Sequence, residues 1–225
     1  MDLVSLSYQN PEHAKNYAKK HDRSLGKRLA DLREQRVVAR AIRRIRSRTD
    51  CATVLDLPSG TGRFLPLLAR EGLRATAMDA SAAMLHEGRP MHDLFSRPPR
   101  VAVGSALEIP LRDGAVDLVL CSRLIHHVCD PGQRDQLLRE LARVARCGVV
   151  VTFFDAHSFF AWKRLRKERR TGRRSKRYPI PRGELVRSAR AAGLELIGMN
   201  AVLRFHSEIT AAAFTRPSCP VGAAS

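Results

Sequence analysis

Acidic residues are scarce in this 225-residue chain: 22 Asp and Glu face 40 Lys and Arg, a formal net charge of +18 with His neutral. A field of that sign draws polyanions and speeds encounter with them. RNA, a phosphorylated lipid or glycolipid, or a phosphorylated metabolite are the partners it suggests, against the plainer reading of a solvated basic surface. Aromatics are also few, with a single Trp, Trp162. No run of about 20 apolar residues occurs, which excludes an apolar membrane-spanning helix. Met1–Leu6 lacks the basic and apolar segments of a secretory leader, so none is expected. The five cysteines, at 51, 121, 129, 147 and 219, form no Cys-x-x-Cys pair. That argues against a disulfide framework or a zinc site, leaving no metal expected and reduced, cytoplasmic thiols. There is no internal repeat.

The chain is organised around Val54-Leu55-Asp56-Leu57-Pro58-Ser59-Gly60-Thr61-Gly62-Arg63-Phe64. An apolar run ending on a carboxylate reads as a buried strand, and Pro58 to Gly62 as a turn. Phe64, Leu65, Leu67, Leu68 and Leu73 then recur at helical spacing. A strand passing through a glycine loop into a helix start presents free N–H groups to an anionic or carbonyl-bearing ligand. A dinucleotide fingerprint needs a third glycine where Leu65 stands, which argues against a nicotinamide or flavin site. A carboxylate about 20 residues further on is the expected ribose partner in nucleotide-binding α/β units, and Asp79 supplies one; Asp79 or Ser81 would also serve as a helix cap.

Elements are expected as strand 53–57, helix 62–71, strand 74–79, helix 81–95, strands 100–104 and 116–121, helix 132–146, strand 147–154, helix 181–192, strand 194–199 and a closing strand near 207–215. Such alternation implies a parallel sheet with helices on both faces, and ligands at the carboxyl ends of its strands. Residues 8–48 read as helical, with Leu25, Leu29, Leu32, Val37, Ala41 and Ile45 as the apolar stripe.

Four blocks in order, over roughly residues 50–154, resemble the class I S-adenosylmethionine-dependent methyltransferases, of the methyltransferase type 11 kind. Asp56, Gly60 and Gly62 match the family's first motif, with Pro58 replacing its first glycine. Val101 to Pro110 is similar to the third strand and the loop after it, with Ser105 where an Asp is usual, and Gly114 to Val128 to the block ending in Leu-His-His. The resemblance implies an α/β, Rossmann-like, seven-stranded, mostly parallel sheet with an antiparallel C-terminal strand. It implies S-adenosyl-L-methionine as cofactor, held by Asp56, Pro58, Ser59, Gly60 and Gly62, by Asp79, Ala80 and Met84, by Ser105, Ala106 and Leu107, and by the backbone at Cys121, Ser122 and Arg123. It also implies that residues 1–48 form a lid or cap, with Tyr8 or Tyr17 near substrate or cofactor. The methyltransferase domain would then run from 49 to 215, and 216–225 would be a loose tail.

Methyl transfer to a hydroxyl or protonated amine needs a base, and imidazole suits that near neutral pH. His127, His126 and Asp155 are the catalytic candidates, with His157 beside them, and Arg123 could hold an anionic acceptor or cap a helix. Lys163 to Arg177 holds ten Lys or Arg and one acid, inside a basic insertion at 155–178. The aromatics Phe159, Phe160 and Trp162 beside it could stack bases or pack on lipid. The Asp/Asn-Pro-Pro-Phe/Tyr loop of exocyclic-amine methylases and the Pro-Cys of cytosine C5 enzymes are both missing. The expected function is methyl transfer to an oxygen or nitrogen of an anionic small-molecule or glycolipid acceptor, with peripheral membrane contact. The alternatives are an RNA methyltransferase, or a non-catalytic protein of this fold binding RNA or a partner protein.

Overall fold

The computed structural model describes residues 25–172, 178–202 and 208–217. Helix α1 (Leu25–Arg46) leads into strand β1 (Thr53–Asp56), then helix α2 (Leu65–Arg70) and strand β2 (Arg74–Asp79). Helix α3 (Ala82–Glu87), a 3-10 turn (Arg89–Leu94), strand β3 (Arg100–Val103) and strand β4 (Val116–Cys121) follow. Helix α4 (Pro131–Val144), strand β5 (Ala145–Phe154), helix α5 (Phe159–Thr171), helix α6 (Arg182–Ala191), strand β6 (Glu195–Ala201) and strand β7 (Ile209–Thr215) complete it.

The seven strands form one sheet in the order β3-β2-β1-β4-β5-β7-β6. β1 to β5 are mutually parallel, and β7 runs antiparallel to both β5 and β6. The order reverses between β1 and β4, and it is in the crevice outside the strand ends at such a switch point that ligands of these sheets bind. Every residue of β4 is buried, as a central strand covered on both faces requires. Its alternate side chains feed two cores. Val119 and Cys121 pack with Leu137, Leu141 and Leu185 of α4 and α6. Leu118 and Leu120 pack with Val38, Ile42, Ile45, Leu65 and Leu68 of α1 and α2. The buried polar exception, Asp117, accepts from the N–H groups of Ala52 and Thr53 and from the Thr53 hydroxyl, at 3.0, 2.9 and 2.7 Å.

Several boundaries differ from the sequence expectation. The helix expected over 132–146 stops at Val144, because Ala145 pairs with Val116 and so begins β5. The helix expected over 81–95 is cut at Gly88, since Pro90 cannot continue it. α1 buries Val37, Val38, Ala41, Ile42 and Ile45 against β5, β6 and β7, whereas Leu29 and Leu32 of the expected stripe are exposed. Where α1 crosses β5, Gly148 is required: a Cβ there would lie 2.5 Å from the Phe214 carbonyl oxygen and 2.9 Å from Ile45 Cγ2. The tail is anchored at its start, as Arg216 donates to the carbonyls of Ala142 and Ala145. Tyr8, Tyr17 and 173–177 of the basic run lie outside the described residues. Among the described residues, no helix is long and apolar enough to cross a membrane.

Candidate functional site

β1 ends on Asp56, which is fully buried beside the loop it opens into. Its Oδ2 accepts from the Ser59 hydroxyl at 3.0 Å, and its Oδ1 has no hydrogen-bond partner among the described residues. Burial pushes the Asp56 carboxyl up to about 7, against the pull of Ser59, with the neighbouring Asp79 charge adding to the rise. Past Pro58, the Ser59 N–H crosses to the Met78 carbonyl at 2.8 Å, tying the loop to β2. Gly60 and Gly62 then take φ of 57° and 74°, a left-handed region that disfavours other residues. A Cβ on Gly62 would also meet Leu65 Cδ1 at 2.9 Å.

β2 ends on Asp79. Its Oδ2 accepts from the Gly60 N–H and its Oδ1 from the Ser81 N–H, both at 2.9 Å. Burial raises its carboxyl, and these N–H groups oppose the rise. The helix cap is Ser81, whose hydroxyl accepts from Met84 N–H at 3.2 Å, so Asp79 faces the loop. Ala80 is exposed between them, and Met84 is buried with its Cε toward Gly60.

Beyond β3, the Ser105 hydroxyl accepts from Leu107 N–H at 3.1 Å and so closes its own turn. Ala106 and Leu107 pack partly buried against the α4-side core. At the end of β4, burial pushes the Cys121 thiol up to about 12, with the Asp56 charge adding to the shift. That leaves an inert side chain in the core. Ser122 pairs with the Thr152 hydroxyl at 3.1 Å, and Thr152 also accepts from Arg123 N–H at 2.8 Å. Arg123 has φ 58°, unusual for a non-glycine residue.

The Arg123 side chain neither caps a helix nor stands free for an acceptor. It is bound in two-pronged fashion by Glu34 of α1, which also takes Arg63 at 2.7 Å. Asp31 Oδ1 accepts from Arg63 Nε. Burial alone would raise the Glu34 carboxyl; Arg123 and Arg63 outweigh it and hold it below its ordinary value. α1 is thereby clamped to the loop after β1 and to the loop after β4. Sequence reasoning missed Glu34 and Arg63; the available signal was an acid in a helix otherwise rich in arginine.

His126 and His127 lie on a 3-10 turn, Ile125–His127, just past β4. His126 is buried and stacks on Phe154 with centroids 3.7 Å apart, while His127 is half-buried. Asp155, past β5, is saturated: Oδ2 accepts from Arg182 at 2.7 Å and Oδ1 from His157 N–H at 3.0 Å. Burial would raise it, but the His157 N–H and the Arg182 guanidinium hold it below its ordinary value. The fold therefore brings Asp56, Ser59, Gly60, Gly62, Asp79 and Met84 together at the carboxyl ends of β1 and β2. Ser105 to Leu107 line one side of that edge of the sheet, at the end of β3, and Cys121 to His127 the other, at the end of β4. Asp155 belongs to a separate network.

Comparison with known proteins agrees with this arrangement. Residues 55–153 match the family model of a methyltransferase domain. An uncharacterized methyltransferase of Mycobacterium tuberculosis is 41% identical over 96 residues, covering 42% of this chain and 36% of that protein. The malonyl-[acyl-carrier protein] O-methyltransferase of Pectobacterium atrosepticum is 35% identical over 126 residues, covering 53% of this chain and 47% of that protein. The matches thus span less than half the length of either relative. Magnesium protoporphyrin IX methyltransferase from Synechocystis PCC 6803, solved with S-adenosylhomocysteine, has a TM-score of 0.76 over 95% of this chain and 98% of that one. At 12% identity that likeness speaks for the fold. Residues 55–153, with their strand order and their glycine loop between two strand-end carboxylates, thus form a domain similar to the methyltransferase domain of that family model.

Proposed function

We propose that this protein transfers a methyl group from S-adenosylmethionine to an oxygen or nitrogen of an anionic small-molecule or glycolipid acceptor. The observation that carries the cofactor half is Asp56, a wholly buried carboxylate beside Gly60 and Gly62 with one oxygen unpartnered among the described residues. A buried anion in that state calls for a cation, and the cofactor's ammonium would supply it. Asp79 would take the ribose hydroxyls, and Ala106 and Leu107 the adenine ring. Ser105 already accepts from its own turn, so backbone would carry more of the adenine contact than its side chain.

When bound, the cofactor supplies an electrophilic methyl on a sulfonium. The chain's own residues bind, orient and deprotonate, and orientation supplies much of the rate. The Glu34 clamp keeps α1 beside the loops after β1 and β4, shielding the crevice from water. His127 is the proposed base, accepting the acceptor's proton on a ring nitrogen. His126, stacked on Phe154, forms the wall behind it. Asp155 is poorly suited, since its oxygens already hold Arg182 and His157. By their names, two similar proteins act on different acceptors, malonyl-[acyl-carrier protein] and magnesium protoporphyrin IX. The anionic acceptor is therefore argued from the +18 charge of this chain.

Calorimetric titration with S-adenosylhomocysteine tests the cofactor half. The wild-type chain should bind, and Asp79→Ala should bind about tenfold more weakly while remaining folded by circular dichroism. No binding by the folded wild type, or equal affinity in Asp79→Ala, contradicts the assignment.

A further inference from the structure

Helix α5 turns its large apolar side chains outward. Ala161 is its only buried residue, while Phe159, Phe160, Trp162 and Leu165 are 53, 41, 52 and 43% exposed. The three aromatics form one cluster in the first turn, with ring centroids 6.0 Å apart for Phe159–Phe160 and 5.8 Å for Phe159–Trp162. Lys163, Arg166, Lys167, Arg169 and Arg170 are exposed along the same helix. Its seat does not need the apolar face. Ser158 caps it, accepting from Ala161 N–H at 3.1 Å, and Arg164 points inward to pair with Glu208 and to lie 5.4 Å over the Phe154 ring. Gly172, at φ 66°, ends it.

We propose that α5 is a docking surface for an anionic lipid bilayer. Apolar residues gathered on a helix surface beside Lys and Arg lie well at the boundary of headgroups and acyl chains, and the cations add attraction to anionic lipid. A contiguous exposed apolar patch is itself a mark of an interaction site. At 13 residues, α5 is far shorter than the span of a bilayer, so it lies on the surface. RNA is the weaker fit. Base stacking needs an open ring face, but the Trp162 ring packs on Phe159 and carries the Arg166 guanidinium at 5.4 Å. The position is also informative: Phe154, under Arg164, is the ring on which His126 stacks. A bilayer bound by α5 would therefore lie at the rim of the candidate site. The proposal requires no cofactor.

Trp162 is the chain's single Trp, so its emission reports directly on α5 in the full-length protein. Vesicles of phosphatidylglycerol in phosphatidylcholine should shift that emission to shorter wavelength and sediment the protein, with pure phosphatidylcholine at least about tenfold weaker. Phe159→Ala with Phe160→Ala, which keeps the Trp probe, should lower partitioning about tenfold or more. Arg166→Gln with Arg170→Gln should lower it about fivefold per charge removed. S-adenosylhomocysteine titration of the same variants serves as the folding control and should be unchanged. The proposal is overturned by absence of binding to anionic vesicles, or by binding that leaves Trp162 emission unmoved and ignores both pairs of substitutions. It is equally overturned if a single-stranded RNA moves the emission while vesicles do not. Failure of S-adenosylhomocysteine to bind any form would remove the methyltransferase reading and leave the vesicle result standing.

Discussion

Asp56 and Asp155 are both buried carboxylates at the carboxyl ends of parallel strands, one at the end of β1 and one just past β5. Their surroundings differ. Asp155 is met by Arg182, by His157 and by the Thr210 hydroxyl, and sits below its ordinary pKa. Asp56 is met by one hydroxyl, stands near a second carboxylate, and is pushed up to about 7. A carboxylate whose demand is met within the chain holds the fold together. One whose demand is left open marks where a cation from outside belongs. The same contrast separates the crevice, with its unfilled polar groups, from the rim at α5, with its uncovered aromatics.

The largest effect that could break this comparison is expected at Asp56. Asp56→Asn keeps the shape and removes the anion, so S-adenosylhomocysteine affinity should fall about 100-fold by calorimetry. Thermal unfolding at neutral pH should show no loss of stability, because a costly buried charge has been removed. Equal affinity in this variant would erase the distinction. Asp155→Ala should do the reverse. Urea unfolding should register a loss of about 1–3 kcal/mol from the unpaired network, kept modest because Arg182 is half-exposed. Cofactor affinity should stay within about threefold. A large affinity loss here would move the candidate site toward β5.

Much of the architecture was legible from the chain alone, for identifiable reasons. The run Val116–Cys121, apolar apart from Asp117, forecasts a central strand, and β4 is one, buried on both faces. The spacing of Asp56, Gly60 and Asp79 forecasts their meeting, because adjacent parallel strands pair Asp56 with Ala77 and leave Asp79 two residues beyond it at the same edge, within reach of Gly60. What was hidden depends on tertiary contact. Ala145 and Arg146 are good helix formers, yet the register with Val116 draws them into β5. Leu29 and Leu32 fit a helical period, but tertiary packing leaves both exposed. Glu34 reads as one more surface charge on a helix, since its partner Arg123 lies 89 residues away.

Proton counting tests the central claim most directly. Burial raises folded Asp56 from its ordinary value to about 7, so the unliganded fold takes up a proton between the two values. Its stability from this group is full below the ordinary carboxylate range and is lost as pH rises to about 7. A bound ammonium favours the ionised form, so binding must release that proton below about pH 7, and affinity must rise with pH before levelling off. Titrating S-adenosylhomocysteine at about pH 6 in two buffers of different ionisation heat should show release of nearly one proton in the wild type and none in Asp56→Asn. Binding without proton release, or equal release in the variant, would contradict the account.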